Sequence, residues 1–417
     1  MTRKIVFGLI VGLLVATVNT AAAAEPTKAL LGKILYFDTY LSLNHNQACA
    51  SCHTPPGFAD PRNAADPVNN VVSLGSDETL NGGRNAPPSG YAAFSPIFYF
   101  DDVAGLYIGG QFWDGRAPTL ADQAKGPFLN PVEMAMPSKT AVLEALVDRN
   151  NPNRSLYRAL FLVVYRVQLV GIYNWDAAKV DQVYDQLADA IQAFEQTRFF
   201  SRFNSKYDYV LAGRASFTPA EQRGFDLFNA KAQCFLCHPS EATVLGKQVL
   251  PPLFTDFTYD NLGIPESQSY LIKANRPDYG LGENATVLAD AIAGGAPTFQ
   301  AVDDNGDPVF NDLGEPVLVV AAEAGKFKVS SLRNIALTPP YGHNGYFATL
   351  EEIVHFYNTR DVPEAAWPPA EVPDTVNHNE LGNLGLTPQE EADLVAFLKT
   401  LSDGYGLLLG QMPPLPY

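Results

Sequence analysis

The four cysteines of the chain form two copies of one pattern, Cys49-Ala50-Ser51-Cys52-His53 and Cys234-Phe235-Leu236-Cys237-His238. Two thiols at this spacing can add to the two vinyl groups of a porphyrin. A histidine directly after the second thiol can then become an axial ligand of the iron, which makes Cys-x-x-Cys-His the attachment pattern of c-type haem. Four thiols could instead form two redox disulfides, two structural disulfides or one zinc site. None of these needs a histidine after both second cysteines. Two covalently attached haems are therefore expected, one on Cys49, Cys52 and His53, the other on Cys234, Cys237 and His238, with iron bound at His53 and His238.

A second stretch raises a ligand question. Residues 353–360 read IVHFYNTR, near the end of a short helix. His355 and Tyr357 can each bind a metal. Side chains two apart on a helix point to different faces, so only one of them is expected to reach a given iron. The residues alone leave the choice open.

These groups need elements to hold them. Gly32–Phe37 and Gly224–Phe228 repeat weakly, and each reads as a short helix leading into a haem loop. Thr387-Pro388-Gln389-Glu390 is a capping box that opens the last helix. Ala392, Val395, Ala396, Phe397, Leu398 and Leu401 form its apolar face. A helical run from Val180 to Phe194 is expected to link the halves. The expected fold is mainly α, with two cytochrome c-like haem domains, 25–215 and 216–417, and long Pro- and Gly-rich loops. Residues 302–320 differ: Asn305-Gly306 and Leu313-Gly314 are turn signals between β-prone runs, which predicts a surface hairpin. A calcium loop of the EF-hand type does not fit there, because Gly306 is misplaced and the terminal Glu is missing.

Composition sets the compartment and the partners. Residues 1–24 carry a basic start (Arg3, Lys4), an apolar run and Ala22-Ala23-Ala24, the pattern of a secretory signal peptide. The apolar run is shorter than a membrane span, and no later run is long enough, so a soluble periplasmic protein is expected. The formal charge is −17, and removing the two bases of the leader makes it −19. Such a chain is unsuited to nucleic acid, whose phosphates need Lys and Arg. A basic protein partner would suit it, although acidity also serves solubility.

The chain resembles the bacterial di-haem cytochrome c peroxidase and MauG superfamily over most of its length. The resemblance is carried by CASCH, GGRNAPP (82–88), QFWDGRAPTLADQAKGPFLNPVEM (111–134), CFLCH and KVSSLRNIALTPPYGHNGYFATLEEIVHFY (328–357). It implies that the first haem meets hydrogen peroxide and the second exchanges electrons with it. It places Trp113 between the haems as a relay, and Gln123, Pro127 and Glu133 beside the first haem, with Glu133 as the acid–base group. It also implies a calcium ion held between the domains by Asn85 and the backbone carbonyls of Thr338 and Pro340.

Against that family the chain departs at three points. Ser76 stands where many members carry a histidine that caps the first haem, so an open first iron is expected. The family's methionine ligand of the second haem falls at Tyr357 when counted from His343, and MauG-type members carry a tyrosine there; His355 is the rival. Ala232 replaces a tryptophan of MauG, so the exit route and partner surface are expected to differ. The resemblance therefore implies an enzyme that stores oxidising equivalents over both haems and oxidises aromatic residues, chiefly Trp, of a partner protein. The alternatives are a peroxidase fed by a small cytochrome or cupredoxin, and a non-catalytic electron carrier.

Overall fold

The computed structural model describes residues 20–408 apart from 268, 270, 273–275 and 312. The expected leader lies outside these residues up to position 19. The described residues are mostly helical, with four small two-stranded sheets among them.

Seven helices position the site: α1 (Thr20–Phe37), α2 (Leu120–Leu129), α3 (Arg154–Tyr165), α4 (Ala177–Glu195), α5 (Pro219–Phe228), α6 (Leu350–Thr359) and α7 (Pro388–Lys399). In the first half α1 crosses α4 at Gly32, where an added Cβ would collide with the carbonyl of Ala190. Leu31, Leu35 and Tyr36 pack there against Leu187, Ile191 and Phe194 in one apolar cluster. The 180–194 run therefore belongs to the core of the first half and does not serve as a link. Its apolar residues, including Val183, Tyr184 and Leu187, are buried.

The second half repeats the arrangement. Here α5 crosses α7 at Gly224, where a Cβ would collide with the carbonyl of Asp393. Thr218 with Glu221, and Thr387 with Glu390, form capping boxes at the two helix starts. Phe228, Phe254 and Phe397 fill the interior, joined by Tyr207, ahead of the boundary expected near 215. A fully buried ion pair, Arg333 to Asp208 at 2.8 Å, secures this region.

A second structural repeat aims the chemistry. An isolated antiparallel bridge joins Gln111 to Ala117, and another joins Tyr341 to Phe347. Each leads into a threonine-capped helix, α2 behind Thr119 and α6 behind Thr349. Counting both segments in this register sets Trp113 against His343 and Pro127 against Tyr357.

The insertion is a larger structure than the hairpin expected at 302–320. Thr298–Gln300 pairs with Leu318–Val320, and two smaller turns nest inside, closed by Val302–Pro308 and Phe310–Pro316. Gly306 and Gly314 adopt φ of 84° and 76°, the left-handed region each turn needs. Among the described residues no helix is long and apolar enough to cross a membrane.

Candidate redox centre

Each Cys-x-x-Cys-His motif lines a cavity of its own. Counting the solvent at their mouths, the first spans about 1580 Å3 and the second about 1640 Å3. All four thiols are unpaired. Two separate cavities exclude a single zinc site made from all four. Burial pushes the thiols of Cys52 and Cys234 up to about 12, so they are neutral.

The histidines are oriented by the backbone. His53 Nδ1 donates to the carbonyl of Phe58 at 3.3 Å, and His238 Nδ1 donates to that of Phe254 at 2.8 Å. This fixes each ring and leaves Nε2 available to a metal, the usual support of a ligating imidazole. Burial lowers both rings, His238 to about 4, which keeps them in the neutral form that ligates. Thiols, oriented imidazoles and two large cavities fit two c-type haems.

Gln123, Pro127 and Glu133 all line the first cavity. Gln123 and Pro127 come from α2, and Glu133 from the loop after it. Asn130 Nδ2 donates to Glu133 Oε1 at 2.7 Å. Burial raises the Glu133 carboxyl above its ordinary range, and this hydrogen bond and Arg116 partly offset the rise. Glu133 also lines a smaller outer pocket with Phe112, Arg116, Asn130 and others. It therefore stands where an outer pocket meets the inner cavity.

Ser76 does not line the cavity. It is buried, and its hydroxyl accepts from the Asn44 N–H at 2.9 Å and donates to Asn46 Oδ1 at 2.8 Å. Its N–H donates to the carbonyl of Glu133 at 2.6 Å. The neighbouring Gly75 packs so closely that a Cβ would stand 2.8 Å from the Val132 carbonyl oxygen. The loop that could cap the iron is thus tied to the loop carrying Glu133.

Trp113, Asn85, Ala86 and Pro88 line both cavities. Trp113 Nε1 donates to the carbonyl of Asn85 at 2.8 Å, and the Asn85 N–H donates to the carbonyl of His343, also at 2.8 Å. The two repeat-related residues, Trp113 and His343, thus bracket Asn85. The side-chain amide of Asn85 donates to the carbonyl of Pro340 at 2.7 Å. Thr338 is buried nearby in sequence. A cation between Asn85 and Pro340 would need the amide turned so that its oxygen faces inward.

Tyr357 and His355 part company on α6. Tyr357 lines the second cavity with Cys234, Cys237 and His238, and burial raises its phenol well above the ordinary range. His355 is exposed, and its Nδ1 lies 2.9 Å from Glu391 Oε1. Ala232, at the start of the second haem loop, is buried and lines the same cavity as Tyr357.

Two further groups went unnoticed in the sequence. Glu195, the last residue of α4, lines the first cavity; its Oε2 is buried without a partner, and burial raises its carboxyl to about 8. Lys328 lines the second cavity; its Nζ donates to the Gly110 carbonyl at 2.8 Å, and burial lowers it to about 8. Glu195 could have been flagged only as an acid on the apolar face of a helix. Lys328 carried no signal, because it is buried by a strand pairing that is remote in sequence.

Comparison with known proteins agrees with this geometry. Residues 26–216 match the family described as di-haem cytochrome c peroxidase. The methylamine utilization protein MauG of Paracoccus denitrificans (strain Pd 1222) is 37% identical over 399 residues, covering 93% of this chain and 91% of that protein. Cytochrome c peroxidase Ccp of Escherichia coli (strain K12) is 28% identical over 386 residues, covering 91% of this chain and 59% of that protein. The crystal structure of the di-haem peroxidase BthA from Burkholderia thailandensis E264 aligns with a TM-score of 0.71 and 30% identity, over 91% of this chain and 86% of that one. With two haem-binding motifs in two cavities and this similarity along nearly its whole length, the chain belongs to the di-haem cytochrome c peroxidase and MauG family of oxidoreductases.

Proposed function

We propose that this enzyme reacts with hydrogen peroxide at the first haem and uses the oxidising equivalents, shared over both haems, to oxidise aromatic residues, chiefly Trp, of a partner protein. The observation that carries this reading is Tyr357 on the wall of the second cavity, where no methionine stands among the described residues. When bound, the haems supply the iron that cleaves peroxide and the orbitals that hold the oxidising equivalents. Glu133, at the mouth of the first cavity, takes a proton from one peroxide oxygen and returns it to the other. Burial raises its carboxyl above the ordinary range, which favours holding the proton between the two transfers. Gln123 orients the peroxide, and Pro127 presents an apolar surface that leaves room for it. Tyr357 would supply a hard oxygen donor, which favours an oxidised metal, whereas methionine would favour the reduced one. Trp113 is the relay between the two centres. Ser76, held in its tied loop, places no side chain in the first cavity, which would leave a haem bound there open to peroxide. A calcium ion held by Asn85 and the carbonyls of Thr338 and Pro340 belongs to the same reading, as do export to the periplasm and the division into haem domains near residue 215.

A plain peroxidase fed by a small redox protein is the second reading, supported by the similarity to cytochrome c peroxidases. Steady-state turnover of the holoenzyme with peroxide and reduced cytochrome c separates the two. Slow turnover with a long-lived oxidised state supports protein modification. Fast turnover with no such state rejects it.

A further inference from the structure

Oxidising equivalents destined for a protein too large to enter either cavity must reach the surface. Ala232, where a MauG-type member has tryptophan, cannot be oxidised. A different aromatic route starts at Trp113. Its carbonyl accepts from the N–H of Lys328 at 2.8 Å. Lys328 pairs across a two-stranded sheet with Tyr259. The Tyr259 hydroxyl crowds Gly115, two residues from Trp113, and the Tyr259 ring meets Phe98 edge-on at 5.9 Å. Phe98 stacks on Tyr107 at 5.4 Å and 5°. Tyr107 faces Phe100 across the hairpin formed by Tyr99–Asp101 and Leu106–Ile108, with ring centroids 4.9 Å apart.

The two tyrosines of this row differ in one respect that decides their chemistry. Losing an electron makes a phenol strongly acidic, so oxidation is easy only where a base accepts the proton. Tyr259 donates to the carbonyl of Gly109 at 2.5 Å, and a carbonyl is too weak a base to take the proton. Tyr107 is nearly buried, and its hydroxyl donates to the carboxylate of Asp290 at 3.3 Å. Asp290 is exposed and can pass the proton to water. Tyr259 and Phe98 therefore serve as the bridge, and Tyr107 is where charge comes to rest.

We propose that Tyr107, with Asp290 as its proton acceptor, is a redox-active outlet that carries oxidising equivalents from Trp113 to the exposed hairpin. In the outward step Tyr107 gives one electron through Trp113 to the oxidised haem pair and its proton to Asp290. In the return step an electron-rich aromatic side chain of the donor gives one electron to the Tyr107 radical, and Asp290 returns the proton. Two such cycles deliver the two electrons that one hydrogen peroxide consumes. The donor meets a hairpin that exposes Tyr99, Phe100, Val103 and Leu106, a cluster of large apolar side chains unusual for free surface. Asp101 and Asp102 lie at its tip, and the protein is strongly acidic. A tryptophan or tyrosine in an apolar patch rimmed by Lys or Arg is the matching chemistry.

This outlet rests on the peroxide reading of the first haem, so the test uses two oxidants. The holoenzyme is frozen after mixing with hydrogen peroxide. In a second arm it is oxidised by flash-quench with a ruthenium tris-bipyridine and persulfate pair, which needs no peroxide chemistry at the haem. Electron paramagnetic resonance on protein grown with ring-deuterated tyrosine reads the radical. The expected result is a tyrosyl signal in both arms, lost in Tyr107→Phe and at least tenfold weaker in Asp290→Asn. Trp113→Phe should lose it in the peroxide arm only. Phe at 107 keeps the stack on Phe98, so this variant should fold. An undiminished tyrosyl signal in Tyr107→Phe, or no tyrosyl signal in either arm, overturns the outlet. A Tyr107 signal in the flash-quench arm alone overturns the outlet where peroxide has oxidised the haems, read from their spectra, and overturns the peroxide reading where it has not.

Discussion

The indole N–H of Trp113 is held by the backbone carbonyl of Asn85 at 2.8 Å, at a point where both residues line both cavities. That bond fixes the ring between the two centres. Trp113→Phe leaves an aromatic ring in place and removes the N–H and the easily oxidised indole. The lost hydrogen bond should cost about 1 kcal/mol. Haem content should be normal and the melting temperature only slightly lower. Sharing of oxidising equivalents between the haems, read by spectroscopy after peroxide addition, should disappear, and partner oxidation with it.

Tyr357 and His355 offer a direct ligand test. Tyr357→His replaces an oxygen donor by a neutral imidazole, so the potential of the second haem should rise while its low-spin character persists. Tyr357→Phe should change the low-spin signal outright. His355→Ala should leave the spectra unaltered, because His355 faces solvent beside Glu391. A changed low-spin signal in His355→Ala would reverse the assignment.

Glu133→Gln keeps the hydrogen-bonding shape and removes the base. The bimolecular rate with peroxide should fall by roughly 10²–10⁴. The carboxyl is raised in the fold, so its basic form is lost as pH falls through that raised value. The wild-type rate should drop as pH falls, with a midpoint above the ordinary carboxylate range, and the Gln variant should show no such limb in a stopped-flow pH series.

Glu195 should affect stability with a definite sign. Its folded carboxyl lies near 8 and its unfolded one near the ordinary 4.5. The fold therefore holds the proton more tightly than the unfolded chain. Below the ordinary range Glu195 costs nothing; as pH rises the unfolded state gains by ionising, and the penalty levels off above about 8. At about 1.4 kcal/mol per unit, the full penalty is on the order of a few kcal/mol. Glu195→Gln should raise the midpoint of urea unfolding at pH 8–9 and leave it unchanged near pH 4.

Gly32→Ala and Gly224→Ala should each disrupt one helix crossing. The added Cβ meets a backbone carbonyl, of Ala190 or of Asp393, which cannot rotate away. A loss of at least about 1–3 kcal/mol is expected from the forced separation of the helices. Calorimetry should show a lower melting temperature for each, with Gly294→Ala, where nothing lies within 4 Å, as a surface comparison.

Haem attachment was legible in the sequence because two thiols and a histidine act within one turn of chain. The helix start at Thr387 was legible for the same reason, since a capping box closes over four residues. Helix α4 was visible as a helix, yet its place in the first core was not, because an amphipathic pattern does not say which surface covers it. The insertion showed its turn glycines, but the outer pairing of Thr298–Gln300 with Leu318–Val320 joins segments too far apart for local signals. The choice between His355 and Tyr357 lay beyond residue chemistry alone, as both bind metals. Only packing separates them: one face of α6 places Tyr357 on the wall of the second cavity, and the other leaves His355 in solvent against Glu391 of α7. Glu195, Lys328 and the row from Tyr259 to Tyr107 emerge only in three dimensions. Burial and ring contact are made between segments that the sequence keeps far apart, and the free energies that set their chemistry come from those contacts.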